Sequence, residues 1–247
     1  MTGYATEELL ACVLARLLGD AAHVAVGAAS PIPATACNLL RAKTGQRPRI
    51  SLLHRRRGNP FTEGSRELFD LAGQGRIDVF FLGGAQIDGE ANINLVGTGE
   101  YPSPEHRFPG SFGSAFMYFA AKRTILFREE HSPRVLVPKV DFVSAPGCSP
   151  PGVWRRGGPQ ALLTARALFA WDQQRRRFRL ESVHPGHTVD EIRAATGFGF
   201  DCPARVPVTA EPAADELALL RGPVAREIGA NYPGFAHRVW GEPALPA

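Results

Sequence analysis

Ile77-Asp78-Val79-Phe80-Phe81-Leu82-Gly83-Gly84-Ala85-Gln86-Ile87-Asp88-Gly89-Glu90-Ala91-Asn92-Ile93-Asn94 passes from an apolar run into a loop of small and amide-bearing residues. A run of this kind fits a strand covered on both faces, as in a parallel sheet. Open α/β sheets bind ligands beyond the C-terminal ends of their strands. Glycine at 83 and 84 lets a ligand approach the backbone closely. Gly84, Ala85, Gln86, Asn92 and Asn94 are thus candidate binding positions. The alternative is that the amides only satisfy a tight turn.

Working outward from this stretch, helix and strand patterns alternate. Leu10, Val13, Leu14, Leu17 and Leu18 form one apolar stripe of a helix over 5–18, which Gly19 ends. The pattern predicts strands at 23–27 and 49–53 and helices at 30–43 and 67–73. Further on it predicts a helix at 115–121 and a strand at 124–127. Residues 135–143 read as extended, interrupted by Pro138. Two strands, 162–171 and 178–183, read as a hairpin around an Arg-rich turn. Thr188 and Glu191 form a capping box that opens a helix ending near Gly197. A last helix is expected over 213–221, with the chain after Gly229 draped over the surface. The alternation implies an α/β fold: an open, largely parallel sheet flanked by helices, with an antiparallel addition.

The chain has 247 residues, 44% of them apolar and 21% charged, which suits one large α/β domain spanning 1–247. No apolar run reaches the roughly 20 residues that cross a bilayer. The start carries no secretory pattern, so a cytoplasmic location and no membrane partner are expected. Cys12, Cys37, Cys148 and Cys202 are scattered and read as free thiols, with Cys37 or Cys148 a conceivable nucleophile. His184 and His187 form H-x-x-H within a Pro-Gly turn and read as structural, so no metal is expected. The runs Arg55–Arg57 and Arg175–Arg177 are either solvated surface or a site for phosphates. They lack the interleaved aromatics of a nucleic-acid surface, so no nucleic-acid partner is expected.

Several segments carry a family resemblance in the same order along the chain. Residues 83–94 resemble the "G-A-x-Q-V-D-x-x-G-N-x-N" signature of B subunits of the class I coenzyme A transferases. Phe108-Pro109-Gly110-Ser111-Phe112-Gly113-Ser114-Ala115 resembles the family's glycine loop before a helix, and Lys122–Ile125 the strand after it. Val137-Pro138-Lys139-Val140-Asp141-Phe142-Val143-Ser144-Ala145-Pro146-Gly147 resembles "F-V-x-K-V-D-F-I-T-S-P-G", and Val183–Phe198 the "H-P-G-V-T-x-E-E-V" element. The resemblance is to the glutaconate type. It implies a coenzyme-A-transferase-like fold, a homologous A (alpha) subunit in a hetero-oligomer of α2β2 type, and an acyl-CoA substrate. Coenzyme A would be substrate and product, with no tightly bound cofactor.

Family transferases attack the thioester with a glutamate carboxylate and hold the oxyanion with glycine-loop amides. The resemblance assigns that loop to Gly110, Ser111, Phe112, Gly113 and Ser114, with Phe112 shaping the acyl pocket. The nucleophilic Glu belongs just after the second strand. Leu52-Leu53-His54-Arg55-Arg56-Arg57-Gly58-Asn59 holds no carboxylate. His54 stands near the matching position, as a candidate general acid or base, and Glu63 lies downstream. Arg55 and Arg56 are candidates for a distal substrate carboxylate. The expected function is the B (beta) subunit of a coenzyme A transferase acting on the CoA ester of a dicarboxylic acid. The alternatives are a CoA-ester or ring-opening hydrolase, a glutaconyl-type decarboxylase, or a non-catalytic scaffold subunit.

Overall fold

A computed structural model describes residues 3–45, 47–53, 55 and 59–241 of the chain. The elements run α1 (Thr6–Leu18), β1 (His23–Val26), α2 (Pro31–Thr44), β2 (Arg49–Leu52), α3 (Ser65–Gly73), β3 (Val79–Leu82). Short pairs follow: β4 (Gln86–Ile87), β5 (Ile93–Asn94), β6 (Gly97–Thr98) and β7 (His106–Arg107). Then come α4 (Ser114–Ala120), β8 (Arg123–Phe127), β9 (Pro159–Leu163), β10 (Ala167–Asp172), β11 (Arg177–Val183) and α5 (Val189–Ala195). The chain ends in α6 (Ala214–Leu219), a π-turn (Leu220–Val224), α7 (Ala225–Asn231) and α8 (Pro233–Trp240).

These elements form two compact units. The first comprises the described residues up to Leu71, Ile77–Val79 and those from Ala210 onward. Its strands lie in the order β3–β1–β2, and β1 pairs with β2 in parallel from His23↔Arg49 to Val26↔Leu52. The Asp78 carboxylate accepts the Ala22 and His23 N–H groups at 2.9 and 3.0 Å, which keys the start of β3 to β1. Helix α1 is buried over Glu8–Ala15 and at Leu18, more than the single predicted stripe. Its buried charge is answered by partners: Glu8 accepts two bonds from Arg221, both 2.9 Å, and one from Trp240 Nε1 at 3.1 Å.

The second unit comprises Ala72–Arg76 and Phe80–Thr209, with strand order β11–β10–β9–β8–β3. β8 and β9 pair in parallel, while β9–β10 and β10–β11 are antiparallel. The predicted α/β sheet with an antiparallel addition is the one that forms. Phe169, Phe178, Phe198 and Phe200 pack edge and tilt against one another beneath β10 and β11.

Three local expectations differ. Residues 162–171 are not one strand, because Thr164 Oγ1 accepts the Arg166 and Ala167 N–H groups at 3.2 and 3.1 Å and folds the chain into a turn. The 135–143 segment makes only an isolated bridge, Ile87↔Leu136, and Pro138, lacking an N–H, does not extend it. The chain after Gly229 is helical to Trp240, with Pro233 opening α8. Pro223 lies inside the π-turn, where its missing N–H suits the widened hydrogen-bond register.

Within the first unit Glu216 ties the last helices to α1 and α2, accepting from Arg16 at 2.8 Å, Lys43 at 3.0 Å and the Ala213 N–H at 3.0 Å. Burial would raise its pKa, but those donors outweigh burial and hold the carboxyl at about 2, against an ordinary 4.5. The contribution is therefore complete above the ordinary value and lost as pH falls towards the lowered one. Its partners are more than a third exposed, which trims the energy. Glu216→Gln is expected to lower the unfolding free energy in urea by about 2 kcal/mol at neutral pH, with the deficit vanishing in strong acid. A neutral-pH deficit near zero would show the cluster to be unimportant.

Candidate functional site

The second unit contains the segment from Gly83 to Asn94. A Cβ at Gly83 would stand 2.9 Å from the Phe127 carbonyl, and one at Gly84 would stand 2.7 Å from the Gln86 carbonyl. Both glycines thus allow the chain to leave β3 against neighbouring backbone. β4 and β5 then pair antiparallel as Gln86↔Asn94 and Ile87↔Ile93. The turn between them is organised by Asp88, which is 4% exposed. One of its oxygens accepts the Glu90 and Asn92 N–H groups at 3.1 and 3.0 Å. The other accepts Asn92 Nδ2 at 3.1 Å and the Val140 N–H at 3.4 Å. Ala91 takes a left-handed conformation, φ 60°, and its carbonyl accepts the buried Tyr118 hydroxyl at 3.1 Å.

The remaining amides complete one network. Gln86 Oε1 accepts from Asn94 Nδ2 at 2.7 Å and from the Asp141 N–H at 3.0 Å, while Gln86 Nε2 donates to Asp141 Oδ2 at 3.1 Å. Asn94 Nδ2 also donates to the Gly97 carbonyl at 2.7 Å, and Asn94 Oδ1 accepts the Val96 N–H at 2.9 Å. Asn92 Oδ1 accepts the Gly147 N–H at 3.1 Å. A Cβ at Gly147 would fall 2.1 Å from the Glu90 carbonyl, so only glycine permits this approach. The Ala85 N–H is spent on the Asn94 carbonyl at 2.9 Å. Gln86, Asn92 and Asn94 thus each have hydrogen-bond partners within the second unit.

The Gly110–Ser114 loop leads into α4 in the same unit. Gly110 has φ +116° and Phe112 φ +33°, a left-handed conformation rare for an aromatic residue. Phe112 is 77% exposed. The Ser114 N–H donates to the Ser111 carbonyl at 2.8 Å, which turns the chain into the helix. Ser114 Oγ is buried and has no hydrogen-bond partner among the described residues. Arg155 lies beside this helix. Its guanidinium sits 4.6 Å over the Tyr118 ring and donates to the Tyr118 and Pro146 carbonyls at 2.9 and 2.8 Å.

Asp88, Asp141, Tyr118 and Arg155 were not among the residues singled out from sequence as site candidates. Asp141 sits inside the Val137–Gly147 segment, so its place there was the available signal. Tyr118 and Arg155 had none, because their pairing depends on tertiary structure.

Arg55 and Glu63 belong to the first unit. Arg55 Nη2 donates to Glu227 Oε1 at 2.7 Å, so its charge already has a carboxylate within the chain. Glu63 pairs with Arg66 on an exposed stretch of surface, one residue after Thr62. The Thr62 and Glu63 N–H groups both donate to Glu67 at 2.8 Å, so this segment is a helix-start cap for α3. His54 and Arg56 lie outside the described residues. In the second Arg run, Arg175 and Arg177 both pair with Asp201. Burial raises the Cys12 thiol to about 12 and pushes the Cys37 and Cys148 thiols up as well, opposing thiolate formation at each.

His184 is a core residue. Its Nε2 lies 3.0 Å from the Thr164 carbonyl and its Nδ1 2.8 Å from Thr209 Oγ1. The carbonyl can only accept, so Nε2 carries the proton. His131 is held similarly, by Thr164 Oγ1 at 2.8 Å and Thr196 Oγ1 at 3.0 Å. No group of three or more metal-ligating side chains occurs among the described residues.

Known proteins share this fold and part of its sequence. Residues 51–195 match the coenzyme A transferase family. The chain is 30% identical to the B subunit of the 3-oxoadipate CoA-transferase of Pseudomonas knackmussii, over 94% of this chain and 97% of that protein. It is 31% identical to the B subunit of the glutaconate CoA-transferase of Acidaminococcus fermentans, over 56% of this chain and 54% of the other. Among solved structures it resembles the decarboxylase AibA/AibB with a TM-score of 0.74 and 26% identity, covering 96% of this chain and 99% of that one. No helix among the described residues is long and apolar enough to cross a membrane.

The two buried histidines give a pH signature. Burial lowers both to about 4 from an ordinary 6.5, so the unfolded chain takes up their protons first. Their contribution is complete above the ordinary value and lost as pH falls towards the lowered one, at most about 3 kcal/mol each. In urea melts, the stability gap between wild type and His184→Gln is expected to shrink between neutral pH and about pH 4.5. A gap that does not vary with pH would contradict a neutral, buried His184.

Proposed function

Because the chain belongs to the coenzyme A transferase family, we propose that it is the B-type half of a heteromeric enzyme acting on the CoA ester of a dicarboxylic acid. The observation that carries this reading is the near full-length match to the B subunit of a 3-oxoadipate CoA-transferase. The glutaconate-type relative supports it, since both relatives' names include a dicarboxylic acid. The partner in this reading is a homologous A-type chain, in an α2β2 assembly in the cytoplasm, and residues 1–247 act as one B-type domain. Coenzyme A is substrate and product.

The acyl-CoA carbonyl lies against the Gly110–Ser114 loop, whose amides before Ser114 stabilise the oxyanion, and Phe112 borders the acyl group. The backbone of the Gly84–Asn94 segment lines the same pocket. Fixed donors of this kind act most strongly where charge develops. In a transfer reaction a carboxylate displaces the CoA thiolate to give an acyl anhydride. The thiolate then returns to the enzyme carboxylate, and the freed acyl group leaves as its acid. An acceptor acid completes the cycle by the reverse steps.

A specific observation favours a second reading, in which the scaffold serves a hydrolase or decarboxylase. The Leu52–Asn59 segment has no carboxylate, and Glu63 is engaged in its ion pair with Arg66. His54 then acts as a general acid or base near neutral pH, with Arg56 holding the distal substrate carboxylate.

Co-expression with an A-type chain and assay on glutaconyl-CoA-like esters tests both. Turnover that requires an acceptor acid, with an enzyme-bound thioester trapped by borohydride, is the result expected of a transferase. Release of free CoA or carbon dioxide without acceptor establishes the second reading. In that case His54→Ala is expected to lower kcat/KM at least about 100-fold. No activity on any CoA ester would contradict the proposal.

A further inference from the structure

Beyond the carboxyl end of β2 the Leu53 N–H donates to the Val26 carbonyl at 3.0 Å, which carries the β1–β2 ladder one residue past the strand. The next described residue is Arg55, whose N–H reaches back to the Leu52 carbonyl at 3.4 Å. That contact is long, so backbone bonding alone holds Arg55 weakly. Its side chain is held better. Arg55 Nη2 donates to Glu227 Oε1 at 2.7 Å. Arg55 Nε is buried and has no hydrogen-bond partner among the described residues. Among those residues, Glu227 is thus the group that fixes the guanidinium.

The helix that carries Glu227 is itself well anchored. Ala225 and Ile228 of α7 are buried in the first unit. Arg41 Nη2 of α2 stands 3.8 Å from the same Glu227 oxygen, but it donates to Asn38 Oδ1 at 2.9 Å. The carboxylate is therefore bonded to Arg55 and only neighboured by Arg41. Just past the end of α7 the Tyr232 hydroxyl lies close to the backbone of Ser30, in the loop after β1. The α7 region thus meets the chain beyond the carboxyl ends of two neighbouring parallel strands. That edge of an open α/β sheet is where ligands bind. The Arg55 and Glu227 side chains are 24% and 37% exposed, and a pair so open to solvent adds little to stability. Its consequence is geometric.

We infer that Glu227 is a positioning residue for the reaction: through Arg55 it fixes the chain on leaving β2, at the residue next to His54 in the sequence. The inference rests on the reading above in which the Leu52–Asn59 segment carries a reacting group. With its guanidinium bonded to Glu227, Arg55 anchors the backbone and is not a receptor for the substrate. Glu227 touches no reacting atom, and its effect passes through Arg55. A reacting group displaced by as little as an ångström loses much of its rate. Loosening this anchor therefore acts on kcat and leaves substrate binding alone.

The test uses the co-expressed two-chain enzyme with Glu227→Gln, and with Arg55→Glu plus Glu227→Arg, which restores the ion pair with its ends exchanged. On the CoA ester that wild type turns over, Glu227→Gln is expected to lower kcat at least about 10-fold, with KM within about 2-fold. The exchanged pair is expected to recover most of that loss, which a substrate-binding Arg55 would not allow. Urea midpoints of the three proteins are expected to agree. Hydrogen exchange on the full chain alone gives a readout that needs no activity. The Leu53 and Arg55 amides are expected to exchange at least about 10-fold faster in Glu227→Gln and at the wild-type rate in the exchanged pair, with the β1 amides unaltered. Wild-type kcat in Glu227→Gln, or a loss that the exchanged pair does not recover, overturns the inference. So does unaltered exchange at Leu53 and Arg55. If His54→Ala keeps wild-type turnover, or no CoA ester is turned over, the reading of the segment fails and the positioning role falls with it, even where exchange shows Glu227 holding Arg55.

Discussion

The carboxylate of Asp88 organises the second unit. It is buried, and between them its two oxygens take three backbone N–H groups and the Asn92 side chain. Because one of those N–H groups belongs to Val140, the same residue that closes the Gly89–Asn92 turn also holds the Lys139–Asp141 segment. Asp141 in turn grips Gln86, and Gln86 grips Asn94. A buried network of this kind is favourable only when each member is satisfied. Here each amide finds partners inside the loop, which leaves a rigid shelf beyond the end of β3.

That rigidity fixes the course of a loop of small residues beyond β3. Glycines at 84 and 147 bring backbone within van der Waals reach of backbone, and any side chain there would collide with a carbonyl. Tyr118 and Arg155 then fasten α4 to the shelf. The Gly110–Ser114 loop is thus carried into place by a helix anchored on one side, with its other side apolar and exposed. Phe112 alone breaks the pattern by holding an aromatic side chain in a left-handed conformation, a strain of the kind found at ligand sites.

Much of this was legible in the sequence, for physical reasons that differ by element. The period of α1, the uniform apolar run of β3 and the Thr188–Glu191 capping box are local signals, and each produced its element. The turn at Thr164 was hidden because a threonine hydroxyl capping two N–H groups leaves no glycine or proline to mark it. Helix α8 was hidden by the glycines and prolines around it, although Phe235 and Trp240 give it an aromatic face. The amides of the 83–94 segment were visible as polar residues. That they face one another was not, because their partners Asp141 and Gly147 lie some fifty residues away in the chain. Arg55 was legible as a charge but not as half of an ion pair, since Glu227 comes from the far end of the sequence.

Everything proposed for catalysis depends on an acyl-CoA lying against the Gly110–Ser114 loop. The direct measurement is photolabelling of the assembled two-chain enzyme with an acyl-CoA ester bearing a diazirine in its acyl group, followed by peptide mapping. A saturable adduct on residues 110–114, suppressed by excess unlabelled ester, is the predicted result. Adducts confined to other segments of this chain, or labelling that unlabelled ester does not suppress, would contradict it.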